Sequence, residues 1–147
     1  MNAIFETRRV KIAETSNHYA TVKISSSYDA CDFVKNHLGD HFDSCDVEEL
    51  HVICLNTKNV VTSVTRLTRG GLDSAIAEPR GLFRAALLDN ASSVILTHNH
   101  PSGDSTPSRA DISVTDRMTE VGKIVGIGVL DHIVYGSQDC VTSISSL

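Results

Sequence analysis

Two histidines one residue apart, at the end of a short apolar run and directly before a proline, constrain this chain more than any other feature: Val94-Ile95-Leu96-Thr97-His98-Asn99-His100-Pro101. The run over 94–96 is too short for a helix and rich in β-branched residues, so it predicts a buried strand that delivers the histidines at its end. Side chains alternate along a strand, which puts His98 and His100 on one face and Asn99 on the other. Pro101 keeps His100 extended, because the residue before proline is pushed out of the helical region. Both imidazoles are thereby fixed in direction.

The next residues, Ser102, Gly103, Ser105 and Pro107, have loop composition, and Ser108 is a good helix N-cap. The helix that follows carries its apolar stripe through Val114, Met118, Val121 and Val125, so Asp111 lies one turn earlier on the inward face. Two neutral imidazoles and one carboxylate make a set of N/O ligands that leaves a fourth tetrahedral position for water, the arrangement of a catalytic zinc rather than a structural one. The competing reading is plainer. Ser108-Arg109-Ala110-Asp111 is then only a capping box, with Asp111 satisfying backbone donors, and His-Asn-His is a polar strand end.

Taken together the spacing is His-x-His, seven residues, then Ser-x-x-Asp. Through His98-Asn99-His100-Pro101-Ser102-Gly103-Asp104 and Thr106-Pro107-Ser108-Arg109-Ala110-Asp111, the chain resembles the JAMM (MPN-plus) metalloprotease domain and, within it, the RadC-like branch. The resemblance runs from about Ser27 to the C-terminus and takes in Leu55-Asn56-Thr57-Lys58-Asn59, Pro79-Arg80, Phe83-Arg84-Ala85-Ala86-Leu87 and Leu130-Asp131-His132. It implies an MPN (JAB/cytidine-deaminase-like) fold and zinc held by His98, His100 and Asp111.

The same resemblance implies two catalytic residues. JAMM enzymes use a glutamate far from the His-x-His segment as general base, and Glu48 is the matching position here. Glu49, beside it, would point to the opposite face; spacing alone does not choose between them, and Glu78 stays open as a third candidate. Ser108 would both cap its helix and donate its hydroxyl to the oxyanion that forms at the scissile carbonyl. Asp104 and Ser102 either line a substrate groove or shape the turn. His132 fits a place behind the ligands or in the core and is not expected to bind metal.

A chain of 147 residues is about one domain long and can bury roughly two-thirds of its unfolded surface, enough for one core without staples. Its net charge of −5 and lack of a basic run argue against direct nucleic-acid binding, which draws its affinity from many lysine and arginine contacts to phosphate. The four cysteines, Cys31, Cys45, Cys54 and Cys140, have no Cys-x-x-Cys spacing and read as reduced packing residues. Met1-Asn2-Ala3-Ile4-Phe5 leads straight into charge, with no apolar signal core, and no later stretch reaches membrane-spanning length. A cytoplasmic protein with no membrane association is the expectation.

Residues 1–26 read as an N-terminal arm with one strand over 20–24, and 27–147 as the RadC-like MPN/JAMM domain. Longer RadC-like proteins carry a helix-hairpin-helix region ahead of the metal domain; the arm is too short for one, which weakens a DNA-repair reading. Ser27, Tyr28, Cys31, Phe33, Val34 and Leu38 predict a capped helix that stops at Gly39. The acidic turn over 40–46 contains His41 and, with Asp43 and Asp46, mimics a metal cluster, although such turns usually face water. Residues 48–55 and 60–67 predict a hairpin around Asn56-Thr57-Lys58-Asn59, broken by Gly70-Gly71. Pro79 starts a helix with Leu82, Phe83, Ala86 and Leu87 facing the sheet and ending near Asn90. After the Ser108 helix, Gly126 and Gly128 turn the chain into strands over 129–135 and 140–144. The fold class is α/β, a mixed sheet flanked by helices in three layers.

The function expected is a zinc-dependent metallohydrolase of the metallopeptidase or isopeptidase type, acting on a peptide or protein substrate. The alternative is a zinc-binding RadC-like module with little or no turnover, associated with DNA repair or mobile elements. The complete ligand set favours the enzyme. A nuclease is disfavoured by the net charge and the single-zinc ligand count.

Overall fold

Two strands buried along their whole length, β1 (Glu49–Leu55) and β3 (Ser93–Asn99), form the middle of the molecule. In this computed structural model, which describes residues 22–70 and 77–147, they belong to a sheet of five strands. The order is β2 (Val61–Arg69), β1, β3, β4 (Gly128–Ser137), β5 (Cys140–Ser143). Only β3 and β4 run parallel; the other neighbours are antiparallel. The parallel pair needs a crossover, and helix α3 (Arg109–Val125) provides it.

Full burial of β1 and β3 means that both sheet faces are covered, and the two faces carry separate cores. Ile53, Leu55, Ile95, Ile133 and Tyr135 point towards helix α1 (Ser27–Asp43), against Phe33, Val34, Leu38 and Phe42. Leu50, Val52, Cys54, Val94 and Leu96 point the other way, towards Leu82, Phe83 and Ala86 of helix α2 (Pro79–Leu88) and Val114 and Met118 of α3. Each such large apolar side chain contributes about 1.5–3 kcal/mol on burial. The alternation is strict: odd positions of β1 and β3 face α1, and even positions face α2 and α3. The three-layer α/β architecture with a mixed sheet agrees with the reading of the sequence.

The hairpin, the Pro79 helix, the Ser108 helix and the last two strands form where they are expected, with local differences. Helix α1 is capped by Ser26, whose side chain accepts from the Asp29 amide, rather than by Ser27. It runs through Gly39 to Asp43. Gly39 is buried where a Cβ would lie 2.2 Å from Gln138 Nε2 and 3.2 Å from the Tyr135 hydroxyl, so this glycine admits β4 and its turn instead of ending the helix. Leu87 is 61% exposed, because it falls a quarter-turn beyond the stripe of Leu82, Phe83 and Ala86. Val125 is also exposed at the end of α3.

Most of the expected arm, residues 1–21, lies outside the described residues, as does the second half of Gly70-Gly71. Of the strand expected over 20–24, the described part makes one bridge, Lys23 to Val60, and Ile24 is buried in the α1-side core. No helix among the described residues is long and apolar enough to cross a membrane.

Candidate metal centre

The sheet brings His98, His100 and Asp111 together at the C-terminal end of β3. His98 Nε2 and His100 Nε2 are 3.0 Å apart; Asp111 Oδ1 lies 3.1 Å from His98 Nε2 and Oδ2 lies 3.1 Å from His100 Nε2. His98 and Asp111 are buried and His100 nearly so. The even-position face of β3 supplies His98, the residue just beyond the strand's end supplies His100, and the first turn of α3 supplies the carboxylate.

Hydrogen bonds behind these groups fix which ring nitrogens face inwards. Thr115 Oγ1 donates to the Asp111 carbonyl at 2.7 Å, so its proton is committed and it accepts from His132 Nδ1 at 2.6 Å. His132 Nε2 is then the acceptor for His98 Nδ1–H at 2.7 Å. Burial, followed by the proximity of His98, lowers the His132 pKa well below the ordinary histidine range, which keeps it neutral for this role. On the other imidazole, His100 Nδ1 donates to the Asp104 carbonyl at 2.7 Å. Both histidines thus turn Nε2 lone pairs towards the Asp111 carboxylate.

Three acceptors facing one another at about 3 Å repel unless something positive sits among them. A proton on His100 or a metal cation meets that need. The His100 pKa is raised accordingly, chiefly by its hydrogen bond with Asp111, against the effect of burial and with smaller contributions from the Asp104 carbonyl and the charges of Asp111 and Glu48. Asp111 is pushed up by burial, but the facing imidazoles of His100 and His98 outweigh this and hold it far below the usual carboxylate range. The donor set, two imidazoles and a carboxylate with supported outer nitrogens, fits a zinc-type ion.

Asp111 also belongs to the capping box. Ser108 Oγ accepts from the Asp111 amide at 3.1 Å, and Asp111 Oδ2 accepts from the Ser108 amide at 2.8 Å. The capping reading therefore holds, and the same carboxylate is the one that faces the two imidazoles.

The sequence pattern of the RadC-like JAB domain matches residues 24–147. The chain belongs to that family. Among its relatives, a UPF0758 protein of Clostridium perfringens is 44% identical over 131 residues, covering 89% of this chain and 54% of the relative. One from Clostridium botulinum is 41% identical over 135 residues, covering 92% and 56%; one from Finegoldia magna is 48% identical over 96 residues, covering 65% and 43%. The chain spans about half the length of the curated relatives it matches.

Within this RadC-like domain the two neighbouring glutamates part company. Leu50 pairs with His98 across the β1–β3 ladder; carried outwards, that register sets Glu48 across from His100, on the side of the two imidazoles. Glu49 is turned to the α1 side, where Oε1 meets His41 Nε2 at 2.7 Å and His51 Nε2 at 3.0 Å. Burial raises the Glu49 pKa, but hydrogen bonds from the two histidines more than offset it and leave it at about 2. Glu78 precedes α2 without a side-chain cap bond and lines a surface cleft with Leu50, Arg80 and Arg84.

The loop residues shape the turn. Ser102 Oγ accepts from the Asp104 amide, and Asp104 Oδ1 accepts from the Thr106 amide and hydroxyl. All four cysteines are free. The turn over 40–46 does not gather Asp43 and Asp46 around His41: Asp43 accepts from the Tyr135 hydroxyl, while His41 groups with Cys45 and Glu49. Thr115 was invisible to sequence reasoning as a site residue; its place four positions after Asp111 on the inward side of the helix is the only signal it carries.

Proposed function

We propose that this domain is a zinc-dependent hydrolase of peptide or isopeptide bonds in a protein substrate, working in the cytoplasm. One observation supports it above the rest: two imidazole Nε2 atoms with committed Nδ1 protons converge with a carboxylate. His98, His100 and Asp111 would hold the ion. Bound there, zinc would lower the pKa of a water to about 7 and polarise the scissile carbonyl.

The chain's own groups do the rest. Glu48 takes the proton of the attacking water at its carboxylate as the new C–O bond forms, then returns it to the amine nitrogen as the C–N bond breaks. The Ser108 hydroxyl, whose oxygen accepts the helix-capping bond, keeps its own proton free to donate to the carbonyl oxygen as that atom gains charge. His132 and the Asp104 carbonyl orient the imidazoles throughout.

The test is metal analysis of protein purified without chelator, followed by a peptide-library cleavage screen with and without added zinc. His98→Ala combined with His100→Ala should remove one equivalent of zinc per chain and all cleavage. A double variant that keeps the wild-type zinc content rules the assignment out.

A further inference from the structure

On the opposite sheet face, the end of α1 meets the start of β1 and gathers side chains that the hydrolase reading leaves unused. Glu49 is only 2% exposed. Its Oε1 lies 2.7 Å from His41 Nε2, and Cys45 Sγ lies 3.6 Å from the same nitrogen. One ligand atom from each of His41, Cys45 and Glu49 falls within 4.8 Å of the other two.

We propose that His41, Cys45 and Glu49 form a second cation site, which takes a zinc-class divalent ion through one imidazole, one thiolate and one carboxylate. The donor set is the first argument: thiolate with imidazole selects zinc-like ions over magnesium or calcium. The spacing is the second. Ligands 2.0–2.1 Å and 2.3 Å from one tetrahedral centre stand about 3.5 Å apart, close to the observed N–S separation, while an N–O pair stands about 3.3 Å apart. The shorter contact between His41 and Glu49 is a hydrogen bond that an ion would open by about half an ångström.

The surroundings hold these groups in place. His51, 6% exposed, donates to Glu49 Oε1 at 3.0 Å and packs edge-on against Phe42, so the carboxylate is braced from below. Arg66 and Arg69 approach the other oxygen, Oε2, at 3.5 and 3.8 Å, and both are more than half exposed. Their charge opposes a cation and makes this site weaker than the one around His98. Without an ion the Cys45 thiol donates to the His41 carbonyl at 3.2 Å, and burial with the Glu49 charge raises its pKa. Binding releases that thiol proton to water and shifts the His41 proton, through water, from Nε2, where it meets Glu49, to Nδ1, which frees Nε2 for the ion. The ion then ties α1 to β1 at the residue next to Glu48.

Cobalt(II) separates this site from the first, because only this one contains sulfur. The full chain, stripped with chelator and titrated with cobalt, should show a near-ultraviolet sulfur-to-cobalt charge-transfer band that saturates at one equivalent of this site. His98→Ala with His100→Ala should keep the band; Cys45→Ser, with unchanged circular dichroism, should lose it, and His41→Ala should weaken it at least tenfold at limiting cobalt. Absence of the band in the wild-type chain at saturating cobalt, or a band of full strength in Cys45→Ser, overturns the proposal.

Discussion

The side-chain amide of Asn99 holds the backbone at Glu49: its Oδ1 accepts from the Glu49 N–H at 2.7 Å, and its Nδ2 donates to the Val47 carbonyl at 3.0 Å. Glu48 lies between these anchors. The residue between the two histidines therefore fixes the chain on either side of the proposed base. Asn99→Ala strips a partner from both backbone groups and should cost about 1–3 kcal/mol, read from urea denaturation. Asn99→Asp keeps the acceptor and loses the donor, so it should fall between. Stability within about 0.5 kcal/mol of wild type in the alanine variant would show that water replaces the clamp.

Glu48→Gln keeps the shape of the side chain and removes the base. On any substrate found by the cleavage screen, turnover should drop by roughly two to four orders of magnitude, while metal content stays unchanged. Glu49→Gln should leave turnover near wild type, since Glu49 faces His41 and His51. The reverse pattern would place the base on Glu49 and refute the register argument.

Thr115→Val removes the hydroxyl that links His132 to the Asp111 carbonyl. It leaves the His132 Nδ1–H buried without an acceptor, at a cost of about 1–3 kcal/mol. Loss of such outer support typically weakens metal binding about 10–100-fold. Competition with a chelator indicator measures this, and an unchanged zinc affinity would mean that the chain from Thr115 through His132 does not orient His98.

Gly136→Ala tests how tightly the loop after Pro101 is seated. A Cβ at Gly136 would lie 2.3 Å from the Gly103 carbonyl and 3.0 Å from the Ser105 amide. Those are backbone atoms, so the loop must move, with a penalty of about 1–3 kcal/mol. The same loop carries the Asp104 carbonyl that holds His100, so zinc affinity should fall with stability. A crystal structure of the variant with the loop unmoved would contradict this coupling.

What could be read from the sequence was whatever lies along one element or one connection. The His98-x-His100 alternation, the Ser108 cap with Asp111 at its third position and the hairpin around residues 56–59 are local, and periodicity plus turn chemistry suffice for them. The choice between Glu48 and Glu49 is not local, because it depends on which β1 residue pairs with which β3 residue. The approach of Thr115 and His132 depends on the crossover between β3 and β4. The His41, Cys45 and Glu49 cluster was missed because Gly39 reads as a helix end, whereas its missing side chain makes room for Tyr135 and Gln138. Once α1 continues past it, His41 and Cys45 come to lie over the start of β1.

Asp111 Oδ2 serves the Ser108 amide and His100 at once, so two equilibria share one atom. Fraying of the first turn of α3 would withdraw a proposed ligand, and withdrawing the positive charge among the imidazoles would leave that turn to the cap alone. By linkage, the energy of binding an ion at the proposed site would also be energy of helix initiation. Amide hydrogen exchange at residues 108–112 should then track chelator concentration while the middle of α3 stays protected, giving a readout of occupancy that needs no substrate.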